Sequence, residues 1–214
     1  MDDRTVELDL IKRGIHSVRV LEALRRVRRE LLIPDDLLHD AYGDHPLPIG
    51  HGQTISQPYM VAAMTELLEP QETDEILEVG AGSGYQAAVL ATLVARVITL
   101  EIVPELAEEA RSRLARLGYA NVEVLTRDGY EGLPERAPFD GIIVTCAPES
   151  IPLPLMAQLR DGARLVLPVG PPYGRQQLRV VERQGDSTRQ WVAMDVAFVP
   201  LTGPHSGRDG PIED

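Results

Sequence analysis

The 214-residue chain is poor in several residue types: one cysteine, one lysine, one tryptophan and two phenylalanines. A single thiol, Cys146, leaves no partner for a disulfide within the chain and suits a reducing compartment. No apolar run approaches the roughly 18 residues of a membrane span. The start, MDDRTVELDL, is acidic and lacks the basic region and apolar block of a signal peptide. The expectation is therefore a cytoplasmic location and no membrane partner. Basic charge is scarce as well. Lys and Arg together number 21 against 33 Asp and Glu, a net charge of −12 with a pI near 4.9. Phosphate-backbone binding needs clustered cations, so a nucleic-acid partner is not expected. Arg25, Arg26, Arg28 and Arg29 form the one basic run, read as the solvated face of an amphipathic helix.

What is present centres on residues 75 to 86, EILEVGAGSGYQ. Apolar Ile76, Leu77 and Val79 beside acidic neighbours predict a buried strand, and the helix-prone run from Tyr85 predicts the helix that follows. Between them Gly80, Gly82 and Gly84 alternate with Ala81 and Ser83. Glycine takes positive φ and lets a ligand lie against bare backbone, so strand–turn–helix of this kind suits a nucleotide. A dinucleotide fingerprint counted from Gly80 would place glycine at position 85, where the chain has Tyr85. The E-x-G-x-G-x-G form, beginning at Glu78, instead resembles the first motif of S-adenosylmethionine-dependent methyltransferases.

The remaining pattern alternates strands and helices. Helices are expected over 4–13 and 17–29, the second capped by Ser17. Residues 44–58, DHPLPIGHGQTISQP, carry three prolines and two glycines and are read as an irregular functional loop. Ser56 is expected to cap the helix that follows, with Pro58 in its first turn. Further strands are expected at 96–101, 121–126, 139–145 and 162–170, with a helix from Pro104 to Leu117. From Gln176 an antiparallel pair turns at Gly185-Asp186. This predicts an α/β fold with a doubly wound, Rossmann-like, mostly parallel sheet, an antiparallel C-terminal strand pair and an N-terminal helical segment. Glu78, Glu101, Asp128 and Thr145 fall at strand ends, where such folds bind ligands. Glu101, 21 residues after Gly80, is placed to accept hydrogen bonds from ribose hydroxyls.

Several longer stretches, GIHSVRVLEALRRVRRELLIP, PLPIGHGQTISQPYMVAAMTELL, ILEVGAGSGYQAAVLA, DGYEGLPERAPFDGIIVTCAP and FVPLTG, resemble protein-L-isoaspartate O-methyltransferases over about residues 14 to 203. GQTISQP is the specific part, since glycine turns of this type are common to many methyltransferases. The resemblance implies one methyltransferase domain over 1–203: a helical accessory segment at 1–43, a substrate and cofactor loop at 44–58, and a core at 59–203. The tail, 204–214, is polar and expected to be disordered. It also implies methyl transfer from S-adenosylmethionine to the α-carboxylate of L-isoaspartyl residues in damaged proteins, with no metal. Ser56 would be the active-site residue, with Gln53, Thr54 and Ile55 beside it. Gly80, Gly82 and Gly84 with Ser83 would hold the methionine part, Glu101 the ribose, and Asp128 with Gly129 the adenine; Glu78 and Ala81 would also lie at the cofactor, and Thr202 would close the site. His51 stands where the family more often has an aromatic residue, and Cys146 where it has alanine. Cys146 is read as packing rather than as a nucleophile. A related enzyme esterifying normal aspartate in a dedicated partner peptide is the alternative. A monomer is the favoured state.

Overall fold

The computed structural model describes residues 3–204. Two helices open the chain, α1 (Asp3–Lys12) and α2 (Val18–Arg26). As expected, Ser17 caps α2, its side chain accepting from the Val20 N–H. A hairpin of β1 (Leu47–Gly50) and β2 (Gln53–Ile55) follows, then α3 (Pro58–Leu68). The core runs β3 (Glu75–Val79), α4 (Tyr85–Ala91), β4 (Arg96–Glu101), α5 (Pro104–Arg116) and β5 (Val122–Thr126). It continues with β6 (Phe139–Val144), α6 (Leu153–Ala157), β7 (Leu159–Val169), β8 (Gln176–Gln184) and β9 (Ser187–Val196).

Seven strands form one sheet in the order β5-β4-β3-β6-β7-β8-β9. The five strands β3 to β7 are parallel, and β8 and β9 are added antiparallel. Runs such as Ile76-Leu77 and Val97-Ile98 are apolar at successive positions because helices cover both faces. Ile76, Val97 and Val124 pack with residues of α2 to α5, among them Ala23, Val61, Ala87 and Leu114. Leu77, Ile98 and Ile142 point the other way and pack with Leu155 of α6 and with Phe139. From β3 the chain moves outward through β4 and β5, then returns to place β6 on the other side of β3. That reversal opens a crevice at the carboxyl ends of β3, β4 and β6, the place where such sheets bind ligands.

Three local expectations need correction. Residues 44–58 are not irregular throughout: Leu47 pairs with Ile55 and Pro48 with Thr54 across the β1–β2 hairpin. Its tip, Gly50-His51-Gly52, takes positive φ at all three residues, at 88°, 52° and 71°. Pro48 is tolerated because a two-stranded ribbon has outer edges that need no N–H. Second, Ser56 does not cap α3. The cap position is Gln57, held extended (φ −64°, ψ 150°) by the following Pro58 and making no side-chain cap bond. The helix start is instead satisfied from a distance, since the Asp44 carboxylate accepts from the Tyr59 N–H at 3.1 Å and pairs with Arg13. Third, Arg29 is no solvated residue but is only 1% exposed. The tail beyond position 204 lies outside the described residues.

Candidate active site

The crevice holds about 540 Å³, including its open mouth. Its floor is the glycine turn. Gly80 and Ala81 donate their N–H groups to the Leu100 carbonyl at 2.8 and 3.1 Å, fixing the turn on the end of β4. Gly80 sits at φ 98°, and a Cβ there would overlap the Thr145 hydroxyl, which bonds back to the Gly80 carbonyl at 2.6 Å. Bare backbone is therefore required where β3 and β6 diverge.

Glu101 forms one wall. Its Oε2 accepts from the Gly82 N–H at 2.8 Å and its Oε1 from the Val103 N–H at 3.0 Å. Each carboxylate oxygen can accept further bonds, so both remain available to a ligand while the side chain is held in one rotamer. Gly129 lies beyond, packed so closely that a Cβ would overlap Val79 Cγ1. Arg127, also at the cleft, donates its backbone N–H to the Glu101 carbonyl at 2.8 Å. The roof is the segment after β9. Ala147 N–H donates to the Val199 carbonyl and Leu201 N–H to the Ala147 carbonyl, both at 2.8 Å, laying residues 199–202 across the strand ends. Gln53 and Thr54 of β2 complete the wall opposite.

The residues singled out from the sequence thus fall into two groups. Gln53, Thr54, Gly80, Gly82, Glu101, Gly129 and Thr202 line the cleft, and Asp128 flanks it, its Oδ1 accepting from the Tyr130 N–H at 3.0 Å. The others stand behind the wall. Ile55 and Ala81 are buried, Ser83 Oγ accepts from the Tyr85 N–H at 3.2 Å, and Gly84 faces Leu114 of α5. Ser56 is half-buried next to Ile55, and its hydroxyl caps nothing in α3. Arg127 was not among the expected residues, although its place just after β5 repeats that of Glu101 at the end of β4 and is the signal that finds it.

Glu78 is one residue short of the end of β3 and completely buried. Neither carboxylate oxygen makes a hydrogen bond, and the Thr99 hydroxyl beside it makes none of ordinary geometry. Burial pushes this carboxyl up to about 8; nearby Thr99 offsets part of the rise and the Glu101 charge adds to it. A raised acid pKa costs folding stability progressively as pH climbs from the unfolded value near 4.5 to about 8, because the unfolded chain ionises first. The ligand-free protein is expected to lose on the order of 3–5 kcal/mol over that window through this one group. Denaturant titrations at pH 5 and pH 8 check this: Glu78→Gln should flatten the difference, and an unchanged slope would refute it. Cys146 is half-buried, and burial followed by the charges of Glu101, Asp128 and Glu78 pushes its thiol pKa up strongly. A thiol held protonated is no nucleophile, in keeping with its reading as packing. Among the described residues no group of three or more His, Cys, Asp or Glu is placed to hold a metal, and no helix is long and apolar enough to cross a membrane.

A family model for protein-L-isoaspartate (D-aspartate) O-methyltransferase matches residues 3–206. The chain belongs to that family. Similar curated relatives include protein-L-isoaspartate O-methyltransferase 2 of Nitrosococcus oceani, 55% identical over 187 residues, covering 87% of this chain and 85% of the relative. The enzyme of the same name from Shewanella sediminis is 51% identical over 204 residues, covering 95% and 83%. Protein-L-isoaspartate O-methyltransferase of Methanoregula boonei is 52% identical, covering 94% and 93%. Two solved structures agree with the fold. One titled protein-L-isoaspartate O-methyltransferase has a TM-score of 0.85 at 27% identity, over 94% of this chain and 66% of the other. A family member from Plasmodium falciparum, in complex with S-adenosyl-L-homocysteine, has a TM-score of 0.81 at 25% identity, over 94% and 99%. Family members thus share the mostly parallel sheet with its antiparallel C-terminal strands.

Proposed function

We propose that the protein is an S-adenosylmethionine-dependent protein-L-isoaspartate O-methyltransferase, esterifying the α-carboxylate of isoaspartyl residues in damaged polypeptides. The observation that carries this reading is the juxtaposition of Gln53 and Thr54, the latter two residues from Ser56, with a nucleotide cleft built on Gly80 and Glu101, in a chain about half identical to relatives of that name. The cleft fits the cofactor. Glu101 offers two free lone-pair directions to ribose, and Gly80 and Gly82 present bare backbone to the methionine part. Asp128 and Gly129 would take the adenine, and Thr202 would close the cleft over it.

S-adenosylmethionine, when bound, supplies a methyl group activated on a positively charged sulfur. The acceptor carboxylate is already ionised at neutral pH, so the protein has no need of a general base. What the chain contributes is alignment and exclusion of water. Holding two reactants in line is worth on the order of 7 kcal/mol or more. A dry cleft disfavours separated opposite charges relative to a transition state in which they have partly cancelled. The segment 199–202 and the hairpin provide the cover. Ser56 is read as the residue that aims the substrate: its hydroxyl, not engaged in capping, would hold one carboxylate oxygen and leave the other directed at the cleft. The net charge of −12 gives no long-range attraction for an anionic substrate, so the local donors must suffice.

Labelled methyl transfer to isoaspartyl and aspartyl versions of one peptide, scored as alkali-labile ester, tests the reading. Transfer to the isoaspartyl form alone is expected. Preferential transfer to the aspartyl form would support a dedicated partner substrate instead. In the same assay Ser56→Ala should lower kcat/KM by about 10- to 150-fold, the worth of one charge-assisted hydrogen bond, with an unchanged melting temperature. Undiminished transfer would remove Ser56 from the site.

A further inference from the structure

The most deeply buried cation among the described residues has no part in the chemistry described so far. Arg29 begins the 3₁₀ turn Arg29–Leu31 that follows α2 and is the largest of the fully buried side chains among the described residues. Its guanidinium donates to three carbonyl oxygens, two in the run before the β1–β2 hairpin and one in the run after it. Nη1 bonds the Ala41 carbonyl, while Nη2 bonds the His45 carbonyl at 3.3 Å and the Ser56 carbonyl at 3.2 Å. Its planar group also lies 5.8 Å from the ring centroid of Tyr85, the first residue of α4 and the immediate continuation of the glycine turn. The charged and titratable groups facing it are Tyr85, Asp40, Asp44 and Tyr42, none of which forms a direct ion pair with it among the bonds described.

A buried cation without a carboxylate partner is costly, and hydrophobic side chains of similar size would fill the same space at lower cost. Three main-chain acceptors are a weak return in stability. They are well chosen for geometry, however. The bonds to Ala41 and His45 fix the run leading into the hairpin, and the bond to Ser56 fixes the run leaving it. Both feet of the hairpin that carries Gln53 and Thr54 into the cleft are thereby tied to one rigid fork. The Tyr85 contact references that fork to the cofactor turn. The planar guanidinium can satisfy several acceptors at set angles, which a flexible ammonium cannot.

We infer that Arg29 is a positioning residue for methyl transfer, setting the substrate-side loop, and Ser56 above all, against the cofactor turn. This rests on the reading of the 44–58 loop as the acceptor side of the site. Arg29→Lys and Arg29→Gln are the variants, assayed with an isoaspartyl peptide, by S-adenosylhomocysteine titration, and by hydrogen exchange. In folded variants the peptide KM should rise at least tenfold, S-adenosylhomocysteine affinity should stay within threefold, and amides of 41–57 should exchange faster while those of β3 to β7 keep their protection. A merely structural role would lower the global melting temperature with proportional loss of active protein, leaving peptide KM and loop exchange in the folded fraction unchanged, and would overturn the inference. So would a loss of S-adenosylhomocysteine affinity as large as the rise in KM. Lysine should fare no better than glutamine, because the fork and not the charge is required; full rescue by lysine would refute that. If the wild-type protein fails to methylate isoaspartyl peptide, the functional reading falls, and loop exchange alone still decides whether Arg29 holds the hairpin.

Discussion

Glu101→Ala is expected to weaken S-adenosylhomocysteine binding by about two orders of magnitude or more. Two contributions add. A carboxylate bonded to ribose hydroxyls supplies about 1.5–3 kcal/mol per charged hydrogen bond, and 2.7 kcal/mol is about a hundredfold in affinity. The same carboxylate also accepts from the Gly82 and Val103 N–H groups, so its removal strands two donors at the base of the turn. Gln at position 101 separates the contributions: one oxygen survives to satisfy one of the two amides, while the other position becomes a donor facing a donor. Titration calorimetry should therefore rank the wild type above Glu101→Gln, and that above or equal to Glu101→Ala. Affinity within threefold of wild type in the alanine variant would rule Glu101 out as the ribose acceptor.

Gly129→Ala should be damaging through its added methyl alone. The backbone at Gly129 is not in the left-handed region, so the objection is steric: the new Cβ would fall onto Val79 Cγ1. Val79 is a β-branched residue in a fully buried position of β3 and has little rotamer freedom to retreat. Overpacking of this kind typically costs about 1–3 kcal/mol, a fall of roughly 2–4 °C in melting temperature for each kcal/mol in a chain of this size. The distinguishing measurement is the double variant with Val79→Ala, which empties the space the methyl needs. The two changes should be less damaging together than their sum by at least about 1 kcal/mol. Additivity would mean that the cost of alanine at 129 lies elsewhere than in Val79.

The parts of this architecture that the sequence makes legible are those set by local pattern. Ile76-Leu77, Val97-Ile98 and Ile142-Ile143 are apolar on both faces and can only be interior strands, and Gly80 and Glu101 recur at the strand ends where the topology turns. What escapes is set by partners far along the chain. Ser56 has the composition and position of a helix cap, yet the cap of α3 comes from Asp44, 15 residues before the Tyr59 N–H it accepts from. Arg29 cannot be told by pattern from Arg25, Arg26 and Arg28 in the same basic run. Its burial follows from three carbonyls that only the folded loop brings together. The hairpin is hidden by its own prolines, whose missing N–H groups do no harm in a ribbon two strands wide. Glu78 looks like one more strand-end acid but lies a single residue inside, which is enough to remove it from water.

The roof of the cleft has a consequence in time as well as in space. The floor and walls come from residues 53–146, but the strip over them, residues 199–202, follows all seven strands of the main sheet in the chain. It is docked by two main-chain hydrogen bonds to Ala147 that no earlier segment makes. During vectorial synthesis the crevice therefore forms before its cover, which is added only after residues 199–202 have emerged.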